Sequence, residues 1–197
     1  MNLKTPLVTT TVLLGALAAF CLISPSRAAT ETPEYKIIRT DGKFEIRDYP
    51  ALTVATTAME GAEMNGGFRK LFRFITGSNE ASEKIAMTAP VLIDTTKDKK
   101  TMSFIMPKKA VEKGVPKPSG ESVTLVKLDA ARFAVLGFDG GRTAENERAA
   151  IEKLKARLDA EKLRGKGAPT LAYYDPPWTP TFMRRNEVMI RLDISHQ

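Results

Sequence analysis

The segment from Tyr173 to Val188 constrains the fold of this chain more than any other stretch. It places three prolines within five positions and contains the single tryptophan, Trp178. Because proline fixes φ and removes a backbone donor, the segment can be neither a helix nor a central strand. An alternating apolar run, Val188 to Ile194, follows it and is typical of a strand. The sequence therefore predicts a rigid extended loop before a last strand, serving either as a binding clamp or as a surface turn.

The first 28 residues have the organisation of a secretory signal peptide. Lys4 supplies a positive start, residues 7–23 are largely apolar, and Ser26 to Ala28 form a small-x-small cleavage site. We expect cleavage after Ala28 and a periplasmic or secreted protein. The alternative is a retained membrane anchor, which the short and threonine-interrupted apolar stretch disfavours. Residues 29–34 are then a short N-terminal tail, and residues 35–197 form a single domain.

Cleavage changes both the charge and the cysteine content. Lys4 and Arg27 leave with no acidic residue, so the formal net charge falls from +7 to +5, and Cys21 leaves as the only cysteine. The mature protein then has neither disulfides nor thiolate chemistry. Export and the lack of a recognisable binding motif argue against nucleic acid as a partner. We expect no stable membrane insertion after cleavage, and the sequence leaves the oligomeric state open.

Alternating apolar residues and turn signals predict strands in both halves of the chain. Asp41 and Gly42 between two such runs are a strong hairpin signal. Phe133, Val135 and Phe138 are the expected inward residues of one strand. Strands are predicted at 35–39, 44–49, 51–57, 85–94, 101–106, 123–129, 132–138, 171–174 and 187–194.

Two stretches have helical periodicity, and each lies between strands. One carries Phe68, Leu71, Phe72 and Ile75 and ends at Gly77; the other starts near Thr143 and carries Ile151, Leu154 and Leu158. Residues 107–120 contain three prolines and are expected to be a linker. Strands, helix and strands occur twice, which predicts an α+β fold: a distorted antiparallel β-barrel with two flanking helices, built from a duplicated strand-helix-strand unit.

Familiar catalytic and metal-binding arrangements are missing from the sequence. The only histidine, His196, is the penultimate residue. Without an internal histidine or any cysteine, Ser-His, Cys-His and zinc arrangements are not available. We therefore predict no catalytic residues and no metal site, and a binding function. A carboxylate enzyme is a less favoured alternative, which would need Glu187 or Asp175 in a cleft with a raised pKa.

Four blocks of the sequence, taken in order, resemble signatures of the SOUL haem-binding protein family. They are residues 44–50 (FEIRDYP), 70–79 (KLFRFITGSN), 84–91 (KIAMTAPV) and 175–188 (DPPWTPTFMRRNEV). The resemblance implies the barrel described above, shared with ligand-binding domains of the gyrase-inhibitor type. It also implies haem or another tetrapyrrole as ligand, in a shallow apolar groove on the helices. Some members are thought to use a histidine as axial ligand, but the only histidine here is His196, so we expect no strong axial protein ligand. Binding, buffering or transfer is the implied role.

The resemblance also implies which residues contact the ligand. Arg73 would meet one propionate of haem, and Arg184 is the alternative for a second propionate. The apolar contacts are Phe68, Leu71 and Phe72 on the first helix and Ile151, Leu154 and Leu158 on the second.

Under the family resemblance the Tyr173 to Val188 segment becomes a mark of the fold. Its prolines and Trp178 are expected to stiffen the approach to the last strand, while Arg184, Arg185 and Glu187 pair to lock that strand in place. The alternative function is a module that binds other amphipathic small molecules in the barrel cleft, with Glu187 as a buried counter-charge for cations.

Overall fold

A single antiparallel sheet of nine strands is the frame of the fold in the computed structural model, which describes residues 30–59, 64–96 and 100–193. The strands are β1 (Lys36–Asp41), β2 (Phe44–Tyr49), β3 (Leu52–Ala58), β4 (Val91–Asp94), β5 (Thr101–Ile105), β6 (Thr124–Leu128), β7 (Ala131–Phe138), β8 (Gly165–Tyr173) and β9 (Asn186–Leu192). The helices are α1 (Met64–Ile75), α2 (Lys108–Lys113) and α3 (Ala144–Ala160). The predicted signal peptide, His196 and Ile194 lie outside the described residues.

The strand order shows that the sheet is open. It runs β1-β2-β7-β9-β8-β4-β5-β3-β6, so β1 and β6 are the two edges. The α+β class is confirmed, whereas the closed barrel and the duplicated unit are not. Alternating sequence patterns report which strands exist and not whether the first and last of them pair, because pairing is a long-range contact.

Most of the predicted elements are present, with shifted boundaries. The β1–β2 hairpin turns at Gly42, whose φ of +59° is in the left-handed region. The strand predicted at 85–94 begins only at Val91, directly after Pro90, because proline has no N–H to donate to a neighbouring strand. The predicted linker at 107–120 contains the short helix α2.

The side chains of the sheet lie on two faces, which pack against different parts of the protein. We call the face that carries α1 and α3 the helix face; α1 packs on β3 and β5, and α3 packs on β7, β8 and β9. Its core includes Leu71 and Phe74 from α1 and Leu154 and Leu158 from α3. We call the opposite side the open face, where a smaller cluster contains Tyr49, Val135, Ala172 and Met189.

The predicted inward residues of β7 are split between these two faces. Phe133 and Val135 pack with the open-face cluster, while Phe138 packs with the helix-face core. The expectation of one common interior was wrong because successive side chains of a strand point to opposite faces. Ala134 and Leu136 take the core positions that the sequence analysis assigned to their neighbours.

Specific caps position both long helices. Gly77, with φ of +123°, follows α1, and Ser78 N–H donates to Arg73 O at 2.9 Å. The Thr143 hydroxyl accepts from Asn146 N–H at 3.2 Å and caps α3, as the sequence predicted. The caps fix where each helix begins or ends over the sheet, and so which side chains reach the core.

We expect Leu154→Ala to destabilise the protein by about 2–5 kcal/mol, because the side chain is fully buried between α3 and the sheet and truncation leaves a cavity. Urea denaturation followed by circular dichroism measures this. Lys155→Ala on the exposed side of the same helix is the control and should change the free energy of unfolding by no more than about 0.5 kcal/mol. Equal effects of the two changes would contradict the assignment of Leu154 to the core.

Candidate functional site

A buried ion pair joins two strands that are not neighbours in the sheet. Arg47 lies on β2 and Glu187 on β9, and β7 runs between them. Arg47 Nη1 donates to Glu187 Oε2 at 2.8 Å and Nη2 donates to Oε1 at 3.0 Å. Only 4% of Arg47 and 3% of Glu187 is exposed, so water contributes little to their solvation. The forked geometry is the strongest pairing that arginine and a carboxylate make.

Three further donors complete the bonding of the Glu187 carboxylate. Arg185 donates Nε and Nη2 to Oε1 at 3.0 and 2.8 Å, and the Tyr174 hydroxyl donates to Oε2 at 2.9 Å. Arg47 and Arg185 also lie over the rings of Tyr35 and Tyr174, at 4.4 and 3.9 Å from the ring centroids. With five donors on two oxygens, Glu187 has no bonding capacity left for a ligand.

The surroundings of this cluster keep Glu187 ionised. Burial by itself raises the pKa of Glu187, but hydrogen bonds and attraction from Arg47 and Arg185 outweigh it, and the pKa lies below its ordinary value. Burial and the neighbouring Glu187 carboxylate raise the pKa of Tyr174 above its usual range. The raised pKa that a carboxylate enzyme would need at Glu187 is therefore not present.

The predicted locking role of the Arg184, Arg185 and Glu187 group is confirmed only for its last two members. Arg185 pairs with Glu187, and its backbone N–H donates to Asp175 Oδ2 at 2.6 Å. Arg184 instead donates Nε to Thr179 O at 2.7 Å and Nη2 to Pro177 O, so it holds the preceding loop. Its role with a second propionate stays a prediction, and it would have to give up these contacts.

Trp178 does not stiffen the loop by packing. It is 78% exposed, so its ring points into solvent. Prolines and the hydrogen bonds from Arg184 hold the backbone instead. The sequence could not distinguish these two cases, because a tryptophan beside prolines fits a packed turn and an exposed one equally well.

The exposed flank of α1 is a surface that a ligand can reach. The rings of Phe68 and Phe72 are stacked, with centroids 5.9 Å apart and planes inclined by 15°. Phe68 also packs edge-on against Phe104 at 5.3 Å, while Phe72 is 44% exposed. Arg69 and Arg73 form the adjacent row along the helix, and both are exposed.

The seven residues predicted to contact haem differ in how exposed they are. Phe68, Phe72 and Arg73 lie on the accessible part of α1. Leu71, Leu154 and Leu158 have at most 4% of their surface exposed, so in this structure they offer no contact to a ligand, and Ile151 is half-buried. Helical periodicity marks one apolar stripe, but packing decides which part of the stripe remains accessible.

Arg69 is a candidate that the sequence analysis missed. The signal that could have found it is its spacing of four residues from Arg73, which places both guanidinium groups on one side of α1. Among the described residues neither guanidinium forms an ion pair with a carboxylate. A cavity of about 220 Å³ is lined by Arg73, Ser78, Ser119 and Ser122, among others.

A larger cavity, of about 590 Å³, lies on the open face. Its apolar floor includes Leu92, Leu128 and Phe133, and a smaller apolar cavity of about 90 Å³ shares these residues. The larger cavity is also lined by five charged residues: Lys127, Lys166, Arg191, Asp94 and Asp129. Glu187 does not line either cavity.

Two kinds of feature are absent from the described residues. No group of three or more His, Cys, Asp or Glu side chains in that part of the chain is arranged to hold a metal ion. No helix within it is long and apolar enough to cross a membrane.

Comparison with known proteins identifies the family. The model of the SOUL heme-binding protein family matches residues 30–191, most of the chain. The chain belongs to the SOUL family. Heme-binding protein 2 of Homo sapiens is 27% identical over 179 residues, covering 82% of this chain and 86% of that protein. Heme-binding protein 2 of Mus musculus is 26% identical over 180 residues, with the same coverage.

Solved structures with the same fold are much more distant in sequence. The C-terminal domain of EcmrR has a TM-score of 0.58 at 11% identity and covers 81% of this chain and 98% of its own. A hydrolase from Listeria innocua has a TM-score of 0.53 at 14% identity, covering 79% and 94%. At such identities the likeness concerns the fold of this SOUL-family protein and not its chemistry.

Two of the four blocks that carry the family resemblance meet at the Arg47–Glu187 pair. Residues 44–50 supply Glu45, Arg47 and Tyr49, and residues 175–188 supply Arg185 and Glu187. The ion pair therefore connects two of the blocks, one on β2 and one at the start of β9. The block that contains Phe72 supplies the accessible residues of α1.

We expect Glu187→Gln in this SOUL-family protein to cost about 3–5 kcal/mol of unfolding free energy at pH 7, because it leaves the buried Arg47 without a full counter-charge. Urea denaturation measures the loss. Glu121→Gln, at an exposed position, is the control and should have almost no effect.

The lowered pKa of Glu187 also predicts how the stability difference between wild type and Glu187→Gln depends on pH. The pKa of Glu187 is lower folded than unfolded, so its stabilisation is present above the unfolded pKa of about 4.3 and lost as pH falls further. The difference between wild type and Glu187→Gln should therefore shrink between pH 5 and pH 2, as approximate bounds of that titration. A difference that stays constant over this range would mean that Glu187 is not ionised in the folded protein.

Proposed function

We propose that this SOUL-family protein is an exported, non-catalytic protein that binds haem or a related tetrapyrrole on the exposed flank of α1. The observation that carries the proposal is the accessible ring of Phe72, stacked on Phe68 and bordered by Arg69 and Arg73. An aromatic face beside cations suits a flat apolar ring that carries two carboxylates. The relatives named heme-binding protein 2 support the same class of ligand.

The expected affinity follows from the size of the contact. Covering roughly 400 Å² of a porphyrin at about 25 cal/mol/Å² is worth on the order of 10 kcal/mol before costs. Association costs about 4–15 kcal/mol, and one charge-assisted contact from arginine to a propionate returns about 1.5–3 kcal/mol. The result is reversible binding in the micromolar range or weaker, which suits buffering or transfer and requires no strong axial ligand.

We expect Phe72→Asp to weaken haemin binding about tenfold or more, since the change removes the exposed ring and places a charge against the porphyrin. Titration of the protein with haemin, followed through the Soret band, measures the affinity. Ile37→Asp is the matched control, because Ile37 is 50% exposed on β1, at the edge of the sheet away from α1. Unchanged affinity in Phe72→Asp would reject the α1 site.

A second pair of variants separates the two surfaces that could hold the ligand. The double change Arg69→Glu, Arg73→Glu should weaken haemin binding, whereas Lys127→Glu, Lys166→Glu on the open face should leave it unchanged. The two double variants alter the total charge equally, so a difference between them reports location. Weaker haemin binding in Lys127→Glu, Lys166→Glu, with unchanged binding in Arg69→Glu, Arg73→Glu, would indicate a haem site on the open face.

The open-face cavity supports a second candidate function, the binding of other amphipathic molecules. Its volume of about 590 Å³ is that of a small-molecule site, and its floor is apolar. Among the described residues Lys127, Lys166 and Arg191 form no ion pair, and Lys166 lies directly opposite Arg191 on the neighbouring strand. Like charges opposite each other are unfavourable, and an anionic head group would relieve them.

The charge of that ligand differs from the sequence-based expectation. Glu187 was expected to serve as a counter-charge for cations, but its carboxylate accepts five hydrogen bonds and lies outside the cavity. An anionic amphiphile such as a long-chain carboxylate is the better match. Loss of its binding in Lys127→Glu, Lys166→Glu, with haemin binding retained, would support this second function.

Export rests on residues 1–28 and can be tested separately. We expect the full chain, produced in a bacterium, to yield a periplasmic protein that begins at Ala29, because the signal-like segment is followed by a small-x-small site. Mass spectrometry of the periplasmic fraction determines the N-terminus. A chain lacking residues 1–28 is the control and should remain in the cytoplasm. Recovery of the intact chain in the membrane fraction would favour the retained anchor.

A further inference from the structure

The loop between β8 and β9 presents three large apolar side chains to solvent. Phe182 is 84% exposed, Trp178 is 78% exposed and Met183 is 64% exposed, and these are the three most exposed large apolar residues in the described part of the chain. All three lie within six consecutive positions. The proposed haem contact on α1 does not use them. We call residues 175–185 the aromatic loop.

Hydrogen bonds within the aromatic loop hold these side chains outward. Arg184 donates to Thr179 O and Pro177 O, and Thr179 N–H donates to Pro176 O at 3.1 Å. Residues Thr181–Met183 form one turn of 3-10 helix, closed by Met183 N–H on Pro180 O at 2.9 Å. The exposure is therefore specified by the sequence, because the backbone conformation that produces it is fixed by prolines and an arginine.

Positive charge gathers at the base of the aromatic loop. Arg142 donates to Asp175 O and lies over the ring of Tyr173, and its Nε is buried without a hydrogen-bond partner among the described residues. Burial and, to a smaller extent, the nearby Arg184 lower the pKa of Arg142, while Tyr173, Asp175 and Glu147 act in the opposite direction. Among the described residues neither guanidinium forms an ion pair with a carboxylate. The protein expected after cleavage of residues 1–28 also carries a formal net charge of +5.

We propose that the aromatic loop inserts into the interface of an anionic lipid bilayer and docks the protein on the membrane surface. Aromatic side chains favour the boundary between head groups and acyl chains, and Phe182 and Met183 would reach below it. A fluid lipid interface can take up exposed apolar side chains without a complementary pocket. The cations at its base then face the phosphate groups, and anionic lipid attracts them.

Membrane docking extends the proposed function without depending on it. An apolar tetrapyrrole partitions into bilayers, so a protein that exchanges such a ligand gains from contact with the surface. The aromatic loop would dock on lipid even if the ligand of the protein were a different molecule. The test therefore uses lipid vesicles with no haem present.

Trp178 makes the experiment direct, because it is the only tryptophan in the chain and its fluorescence reports the loop itself. We expect vesicles of phosphatidylcholine with phosphatidylglycerol to shift its emission to shorter wavelength, and brominated acyl chains to quench it. Vesicles of phosphatidylcholine alone should give a partition coefficient at least several-fold lower. Absence of both the shift and the quenching with anionic vesicles would overturn the proposal.

The double variant Phe182→Ser, Met183→Ser keeps Trp178 as the reporter and removes the two neighbouring apolar side chains. We expect its partition coefficient to be at least tenfold lower than that of wild type, with unchanged circular dichroism and thermal unfolding. Val111→Ser, on the exposed side of α2 and 43% exposed, is the matched control and should bind vesicles as wild type does. All proteins carry the same N-terminus, so differences between them come from the changed residues.

Two outcomes would reject membrane docking by the aromatic loop. Vesicle binding that survives in the double variant would show that a different part of the protein contacts lipid. A Trp178 emission that moves to longer wavelength on dilution without lipid would show that a second copy of the chain covers the loop. Either result rejects membrane docking by this loop, and size-exclusion chromatography of the diluted protein confirms the second one.

Discussion

The paired charges of Arg47 and Glu187 are the interaction on which the rest of the structure depends. They connect β2 and β9 across β7, and through Tyr174 and Arg185 they also tie down both ends of the aromatic loop. Burying two charges is costly unless every donor and acceptor is used, and here the carboxylate is fully bonded. The cluster fixes one register of the central strands, so the two faces of the sheet are determined together.

Those two faces give the protein two kinds of surface. On the helix face α1 and α3 close the main core, and only the flank of α1 that carries Phe72 stays accessible. On the open face no helix covers the sheet in the described part of the chain, and an apolar floor with charged walls remains. The aromatic loop follows β8 and is tied to the buried charges through Arg185. The proposed ligand contact lies on α1, a different element from the strands that the ion pair connects.

Local signals in the sequence predicted local structure well. The turn at Gly42, the cap at Thr143 and the end of α1 near Gly77 all follow from backbone preferences of single residues. The accessibility of the predicted site residues could not be read from such local signals. Periodicity placed Phe72 and Leu71 on one apolar stripe, yet Phe72 is accessible and Leu71 is fully buried, because the position of the helix over β3 and β5 decides between them.

The sequence by itself determined the strands, the two long helices, the family and the stiff loop that carries Trp178, since each depends on neighbouring residues or on blocks in a set order. Only the tertiary structure decided that the sheet is open, that Glu187 is satisfied by Arg47 and Arg185, and that Trp178 points into solvent. These facts depend on contacts between residues far apart in the chain. The alternation and spacing of residues do not determine which distant side chains are in contact, because many pairings are compatible with the same pattern.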